Sequence, residues 1–301
     1  MTLTDTTTHT LEVPGATLTY DVRGGTTDEP PLFLIGSPMG AAGFGSLAAH
    51  FPDRTVVTYD PRGAERSTKD DPASQSTPEE HGDDLHRIIA DLGAGSVDLF
   101  ASSGGAVNAL ALVGSHPEDV RTLVAHEPPL ASLLPDRENA LATVRAIADS
   151  YQRNGWGAGM AHFIAVVSHR GEFPDGFAQQ PAPDPAMFGM PAEDDGSRMD
   201  VMLGQNIITC THYEPDIAAL RAASTRIVLA AGAESEGEMA YRGAFAVGER
   251  LGTRPVTFPS NHGGFLGGEY GQQGDPNAFA AKLREVLAGS QAAARRTDRA
   301  M

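Results

Sequence analysis

The sequence predicts an α/β protein with a mostly parallel central sheet flanked by helices and a mainly helical insertion. Three observations predict it. Short apolar runs rich in β-branched residues alternate with segments of helical periodicity. The stretch from 130 to 223 breaks that rhythm, with several helical pieces and no clear strand. One serine stands in a glycine-rich turn between an apolar run and a helix.

Taken in order, residues 1–9 are Thr-rich and are expected to be a disordered tail. Strands are predicted at 17–22, 31–35, 55–59, 97–101, 121–125, 226–231 and 255–258. Residues 79–92 predict an amphipathic helix with Leu85, Ile88, Ile89 and Leu92 on one face. Further helices are predicted at 105–114, 237–251 and 276–288. Residues 290–301 read as a solvated tail. The core is therefore expected at 10–129 and 224–289, with a helical cap inserted at 130–223.

Composition narrows the function. Hydrophobic residues make up 41% and charged residues 20%, the balance of a folded globular chain. A formal net charge of −17 repels phosphate backbones and anionic lipid, which disfavours nucleic acid and membrane-surface partners. The single cysteine, Cys210, allows neither an intrachain disulfide nor a cysteine metal cluster. The N-terminus lacks the basic start and apolar stretch of a signal peptide, so a cytoplasmic location is expected.

The segment VDLFASSGGAVNALAL carries the main chemical signal. An apolar strand runs into Ser102, Ser103, Gly104 and Gly105, and a helix follows. A sharp strand-to-helix turn crowds the positions two before and two after its apex, and Ser103 has Ala101 and Gly105 there. Such a turn lifts a serine oxygen above the sheet and aims the first N–H groups of the helix at a reacting carbonyl. Ser102 is the poorer nucleophile, because bulky Phe100 lies two residues before it. A serine that merely caps a helix has the same neighbours.

From these residues outward the chain resembles the α/β-hydrolase family over about residues 11–288. PLFLIGSPMGAAGF (31–44) resembles the family's first parallel strand and loop, with Ile35 in place of the usual histidine and Gly36 and Pro38 matching. VVTYDPRGAERS (56–67) is similar to its Asp-x-x-Gly-x-Gly-x-Ser stretch, with Glu65 where the second glycine would be. RIVLAAGAES and VTFPSNHGGF resemble the strands that precede the acid and the histidine. The resemblance implies a Ser–His–acid hydrolase that needs no organic cofactor and no metal, and acts on a small molecule.

His262, in a Gly-flanked loop after the last predicted strand, is the expected base. Of the other histidines, His50, His81, His86 and His116 fall on or beside predicted surface helices, His9 stands at the tail junction, and His162, His169 and His212 fall in the insertion, where they could line a pocket. His126 is expected to point away from its neighbour Glu127, as successive residues on a strand do. For the acid, the usual position after Gly232 holds Ser235, with Glu234 one residue out of register. Some members of the family carry the acid at the end of the strand that follows the nucleophile's helix, and there the chain has Glu127, locked by two prolines. Glu127 is the expected acid and Glu234 the fallback. The same alignment assigns the oxyanion donors to the N–H groups of Ser37 and Gly104, with Met39 as the alternative to Ser37.

Met39, Trp156, Phe163, Phe188 and Met202 are the candidate pocket lining, suited to a small or medium, largely apolar ligand. The expected reaction is hydrolysis of an ester or lactone through an acyl-enzyme. The alternatives are C–C bond, lyase or cyclase chemistry on the same fold, and ligand binding with little turnover. A homo-oligomer is compatible with the sequence.

Overall fold

The computed structural model describes residues 6–298, and the side chains of residues 6–289. In chain order the first elements are β1 (Thr6–Val13), β2 (Ala16–Arg23), β3 (Leu32–Ile35), α1 (Gly45–Ala49), β4 (Val56–Asp60) and β5 (Thr68–Lys69). Next come α2 (Pro78–Leu92), β6 (Val97–Ser102), α3 (Gly104–Ser115), β7 (Val120–His126) and α4 (Arg137–Val167). The last are α5 (Ile207–Thr211), α6 (Ile217–Ala222), β8 (Arg226–Gly232), α7 (Met239–Leu251), β9 (Val256–Phe258) and α8 (Pro276–Asp298).

The sheet runs β1-β2-β4-β3-β6-β7-β8-β9, with β5 also paired to β2. From β4 to β9 every neighbour is parallel; β1, β2 and β5 pair antiparallel. The chain leaves β3 toward β4 on one side and returns to β6 on the other. The loops after β3 and β6 therefore diverge, which opens a crevice at the carboxyl ends of the strands.

Strand alternation builds two cores. Phe33, Ile35, Leu99, Ala101, Leu123 and Ala125 face α2, α3 and α7. Leu32, Leu34, Phe100 and Val124 face α1 and α8, through Leu47, Phe279 and Leu283. Helix α2 starts where the sequence places it: Thr77 and Glu80 form a reciprocal capping box, and Gly93 closes the helix in a left-handed conformation. Arg62 forks onto Asp84 of α2 at 2.6 and 2.5 Å, a buried charge pair that ties the turn after β4 to that helix.

The motif around Asp60 is structural. Its Oδ1 accepts from the N–H of Ala41 at 2.8 Å, while Oδ2 accepts from Arg66 Nε at 2.5 Å. Glu65, in the place of a glycine, has φ +49°, so that position does require a left-handed backbone.

Both expected tails need correction. Residues 6–9 belong to β1, whose threonines pair with β2 in the register Thr6↔Arg23 to Val13↔Ala16. β-Branched residues on an exposed edge have the composition of a tail, and only the partner strand distinguishes the two. Residues 290–298 continue α8, as their alanines and arginines favour. The remaining residues assigned to tails, 1–5 and 299–301, lie outside the described residues. His81 also departs from expectation: it is buried on α2 without a polar partner, and burial depresses its pKa to about 3.

Between β7 and β8 the described chain contains no named strand. Helix α4 breaks at Gly155, where φ is +86°. Turns at 177–179 and 185–188 follow, then a π-helical turn over Met202–Asn206 that runs into α5. Val144, Ile147, Tyr151, Leu203 and Ile207 pack together and against Met239 and Ala246 of α7.

Candidate active site

Ser103 sits at the apex between β6 and α3 with φ +58° and ψ −127°, a conformation an L-residue adopts only under constraint. Its N–H donates to the carbonyl of His126 at 2.9 Å, which extends the β6–β7 ladder up to the apex. The following glycines are required by close approach. A Cβ on Gly104 would lie 2.5 Å from the Ser37 carbonyl oxygen, and one on Gly105 would lie 2.8 Å from Gly36 Cα. Both neighbours are backbone and cannot swing aside. Gly105→Ala is therefore expected to destabilise the fold by about 1–3 kcal/mol. Urea unfolding checks this, and an unchanged midpoint would refute the crowding argument.

The strand after α3 ends in a carboxylate that reaches His262. At the end of β7 the chain turns through Glu127, whose φ is +49°. Its N–H still donates to Ala230 of β8 at 3.0 Å. The carboxylate is fully buried and both oxygens are used. Oε1 accepts from Gly232 N–H at 2.7 Å, and Oε2 lies 2.6 Å from His262 Nδ1. Burial pushes this carboxyl up, but the hydrogen bond from His262, attraction to His126 and His262, and the Gly232 N–H outweigh it and hold its pKa at about 2. Burial likewise opposes charging of His262. The hydrogen bond and negative charge of Glu127, with Glu238 adding, outweigh burial and raise the His262 pKa above its ordinary value.

His126 does not point away from this pair. The left-handed residue 127 ends the strand alternation, and side-chain ligand atoms of His126, Glu127 and His262 lie within 4.8 Å of one another. His126 Nδ1 is 3.1 Å from Ser102 Oγ, and its ring stands among Phe100, Phe258, Phe265 and Phe279. That aromatic surround depresses its pKa to about 4, so the ring is neutral at pH 7. No sequence signal marks this contact, because it depends on one backbone angle at the next residue.

Ser103 and His262 line one cavity of about 470 Å³, together with Ser37, Met39 and Gly104. Of the other predicted lining residues, Phe163 and Met202 are present. Trp156 and Phe188 are corrections. Trp156 donates its indole N–H to Asp200 at 3.1 Å and packs among the α4 residues, and Phe188 lies on an outer turn. Val144, Ile147, Ile207 and Met239 line the cavity instead, with Asn206 and Glu238 as polar members. Glu234, the fallback acid, is exposed and bonds through its backbone: its N–H donates to the Ser260 carbonyl and its carbonyl accepts from Arg170. A larger groove of about 750 Å³ between Leu133–Pro135 and α7 is lined by no serine, histidine or cysteine, so it holds neither a Ser–His nor a Cys–His pair.

This arrangement can hold an imidazole in one tautomer, Nδ1–H toward Glu127, with Nε2 left to accept a proton. The Gly104 N–H, in the first turn of α3, has no partner within the helix.

A family model described as the alpha/beta hydrolase fold matches residues 30–176. An uncharacterized hydrolase of Bacillus subtilis (strain 168), YraK, is 31% identical over 262 residues, which cover 85% of this chain and 89% of the relative. A thermophilic esterase from Thermogutta terrifontis superposes with a TM-score of 0.64 at 17% identity, covering 95% of this chain and 99% of that one. A haloalkane dehalogenase loop variant from Bradyrhizobium elkanii superposes with a TM-score of 0.62 at 20% identity, covering 97% and 100%. The two solved structures share the fold at low identity, whereas the YraK match spans most of both sequences: the chain belongs to the α/β-hydrolase family.

Proposed function

We propose that the protein is a serine hydrolase that cleaves esters or lactones of small to medium, largely apolar substrates through an acyl-enzyme. One observation carries the reading: a histidine held by a buried carboxylate shares a cavity with a serine on a constrained strand-to-helix turn. Ser103 Oγ attacks the substrate carbonyl carbon while His262 Nε2 takes the hydroxyl proton. Glu127 keeps the imidazole oriented and stabilises the imidazolium. The N–H groups of Ser37 and Gly104 hold the oxyanion. His262 then returns the proton to the leaving alcohol, and a water activated by the same nitrogen releases the acyl group.

The segment 130–223 serves as a cap: Val144, Ile147, Phe163, Met202 and Ile207 supply much of the apolar wall. Glu238 shapes charge preference. Burial raises its pKa, and the neighbouring negative charge of Glu127 raises it further. Where ionised, that carboxylate repels anionic substrates, as does the net charge of the chain. The esterase from Thermogutta terrifontis supports ester chemistry by likeness of fold.

The test is reaction of native protein with a fluorophosphonate, and turnover of p-nitrophenyl butyrate beside the palmitate. Labelling confined to Ser103, with the butyrate preferred, is expected. Labelling without ester turnover would move the reaction to another bond on the same fold. No labelling of Ser103 would end the serine-hydrolase reading.

A further inference from the structure

The hydroxyl of Ser37 has a use beyond its backbone N–H. Asn206 Nδ2 donates to Ser37 Oγ at 2.6 Å, and both residues are buried. Asn206 closes the π-helical turn over Met202–Asn206, a local widening often found at functional sites. The turn brings its amide down from the segment over the sheet onto the loop that follows β3. A hydroxyl offers one hydrogen and two lone pairs. Asn206 takes a lone pair, which leaves the hydrogen unspent. The Asn206 Oδ1 is itself buried without a partner, so this amide is held in place at a cost. Folding alone gains little from such a pair.

The position of Ser37 says where the hydrogen is useful. Ser37 lines the cavity beside Ser103 and Gly104. A Cβ on Gly104 would lie 2.5 Å from the Ser37 carbonyl oxygen and 3.4 Å from Ser37 Cβ, so the two residues form one continuous wall. We propose that the Ser37 hydroxyl is a third hydrogen-bond donor to the oxyanion, and that Asn206 is the positioning residue that aims it. The inference rests on the acyl-transfer reading above. The hydrogen stays on Ser37 throughout. It contributes by stabilising charge that develops on the substrate oxygen, and no bond of Ser37 breaks.

The experiment measures p-nitrophenyl butyrate hydrolysis, fluorophosphonate labelling rate and affinity for a trifluoromethyl ketone, whose adduct places an oxyanion in the same hole. Ser37→Ala keeps the N–H and removes the O–H. It is expected to lower kcat by about 10- to 100-fold, to weaken the ketone by a similar factor, and to leave KM nearly unchanged. Ser37→Thr, which keeps a hydroxyl, should recover part of the loss. Asn206→Leu should lower kcat less, and the double variant should match Ser37→Ala, because the amide acts only through the hydroxyl. An active wild type whose kcat and ketone affinity are indifferent to Ser37→Ala overturns the inference and leaves the hydrolase reading standing. Additive effects in the double variant overturn the role of Asn206. If Ser37→Ala does not fold, Asn206→Leu decides alone, and unchanged kcat and ketone affinity reject the proposal. A wild type inert to ester and fluorophosphonate removes the hydrolase reading and this inference together.

Discussion

Replacing Ser103 with alanine is expected to lower kcat for p-nitrophenyl butyrate by about 10⁴- to 10⁶-fold and to abolish fluorophosphonate labelling. The remaining rate would come from oxyanion donors and binding, which the substitution leaves in place. Backbone conformation and the absence of a side-chain cap bond separate this serine from an ordinary helix cap. At φ +58° and ψ −127° a side chain crowds its own backbone, a strain of about 1–3 kcal/mol. Alanine retains the Cβ and so retains the strain. Ser103→Gly relieves it, offset by the greater freedom of glycine in the unfolded chain, about 0.5–1 kcal/mol. Both variants should be inactive, and the glycine variant should be more stable than the alanine variant by about 1 kcal/mol. Urea midpoints measure the difference. A serine that only capped α3 would bond a helix N–H through its side chain, whereas the Ser103 side chain makes no such bond, and its loss would leave catalysis intact. An active Ser103→Ala protein would sink the assignment outright.

How far the sequence could be read follows from which interactions are local. The parallel strands and the helices packed on them were legible because alternation and 3.6-residue periodicity report burial directly: Leu85, Ile88 and Ile89 are buried on α2 as their spacing predicts. The turn at Ser103 was legible because crowding excludes large neighbours at fixed offsets. Strand β1 was not, because an exposed edge strand is defined by its partner and not by its own composition. The carboxylate partner of His262 is intermediate. Glu127 could be placed after one helix and one strand, and the structure brings it, rather than Glu234, to His262. The approach of His126 to the same pair could not be seen, since one left-handed residue redirects it. Asn206 was likewise invisible: it reaches Ser37 from far along the chain, through a π-helical turn that no periodicity announces. Trp156 shows the converse error, since an apolar residue in a helical segment packs as readily on its own helices as on a ligand, while Phe188 lies on an outer turn away from the cavity.

Glu127→Gln is expected to lower kcat by about 10³- to 10⁴-fold, while Glu234→Gln leaves it within about twofold, the range of a surface change. The neutral amide can still face His262 but no longer balances an imidazolium, and its N–H₂ group favours the wrong tautomer. The pH profile carries the sign. His262 must be neutral to accept the Ser103 proton, so the rate rises as pH climbs through the His262 pKa, which Glu127 holds above its ordinary value. Without that charge the rising limb should move to lower pH even as the plateau falls. Stability should follow the same linkage. The depressed Glu127 pKa contributes stability that is present above its ordinary 4.5 and lost as pH falls toward about 2. The raised His262 pKa contributes stability that is complete below its ordinary 6.5 and lost as pH rises through the folded value. The stability difference between wild type and Glu127→Gln should therefore be largest between about pH 4.5 and 6.5 and shrink on either side. A loss of activity on Glu234→Gln instead, or a limb that stays in place in the Glu127 variant, would break the link between this carboxylate and the imidazole.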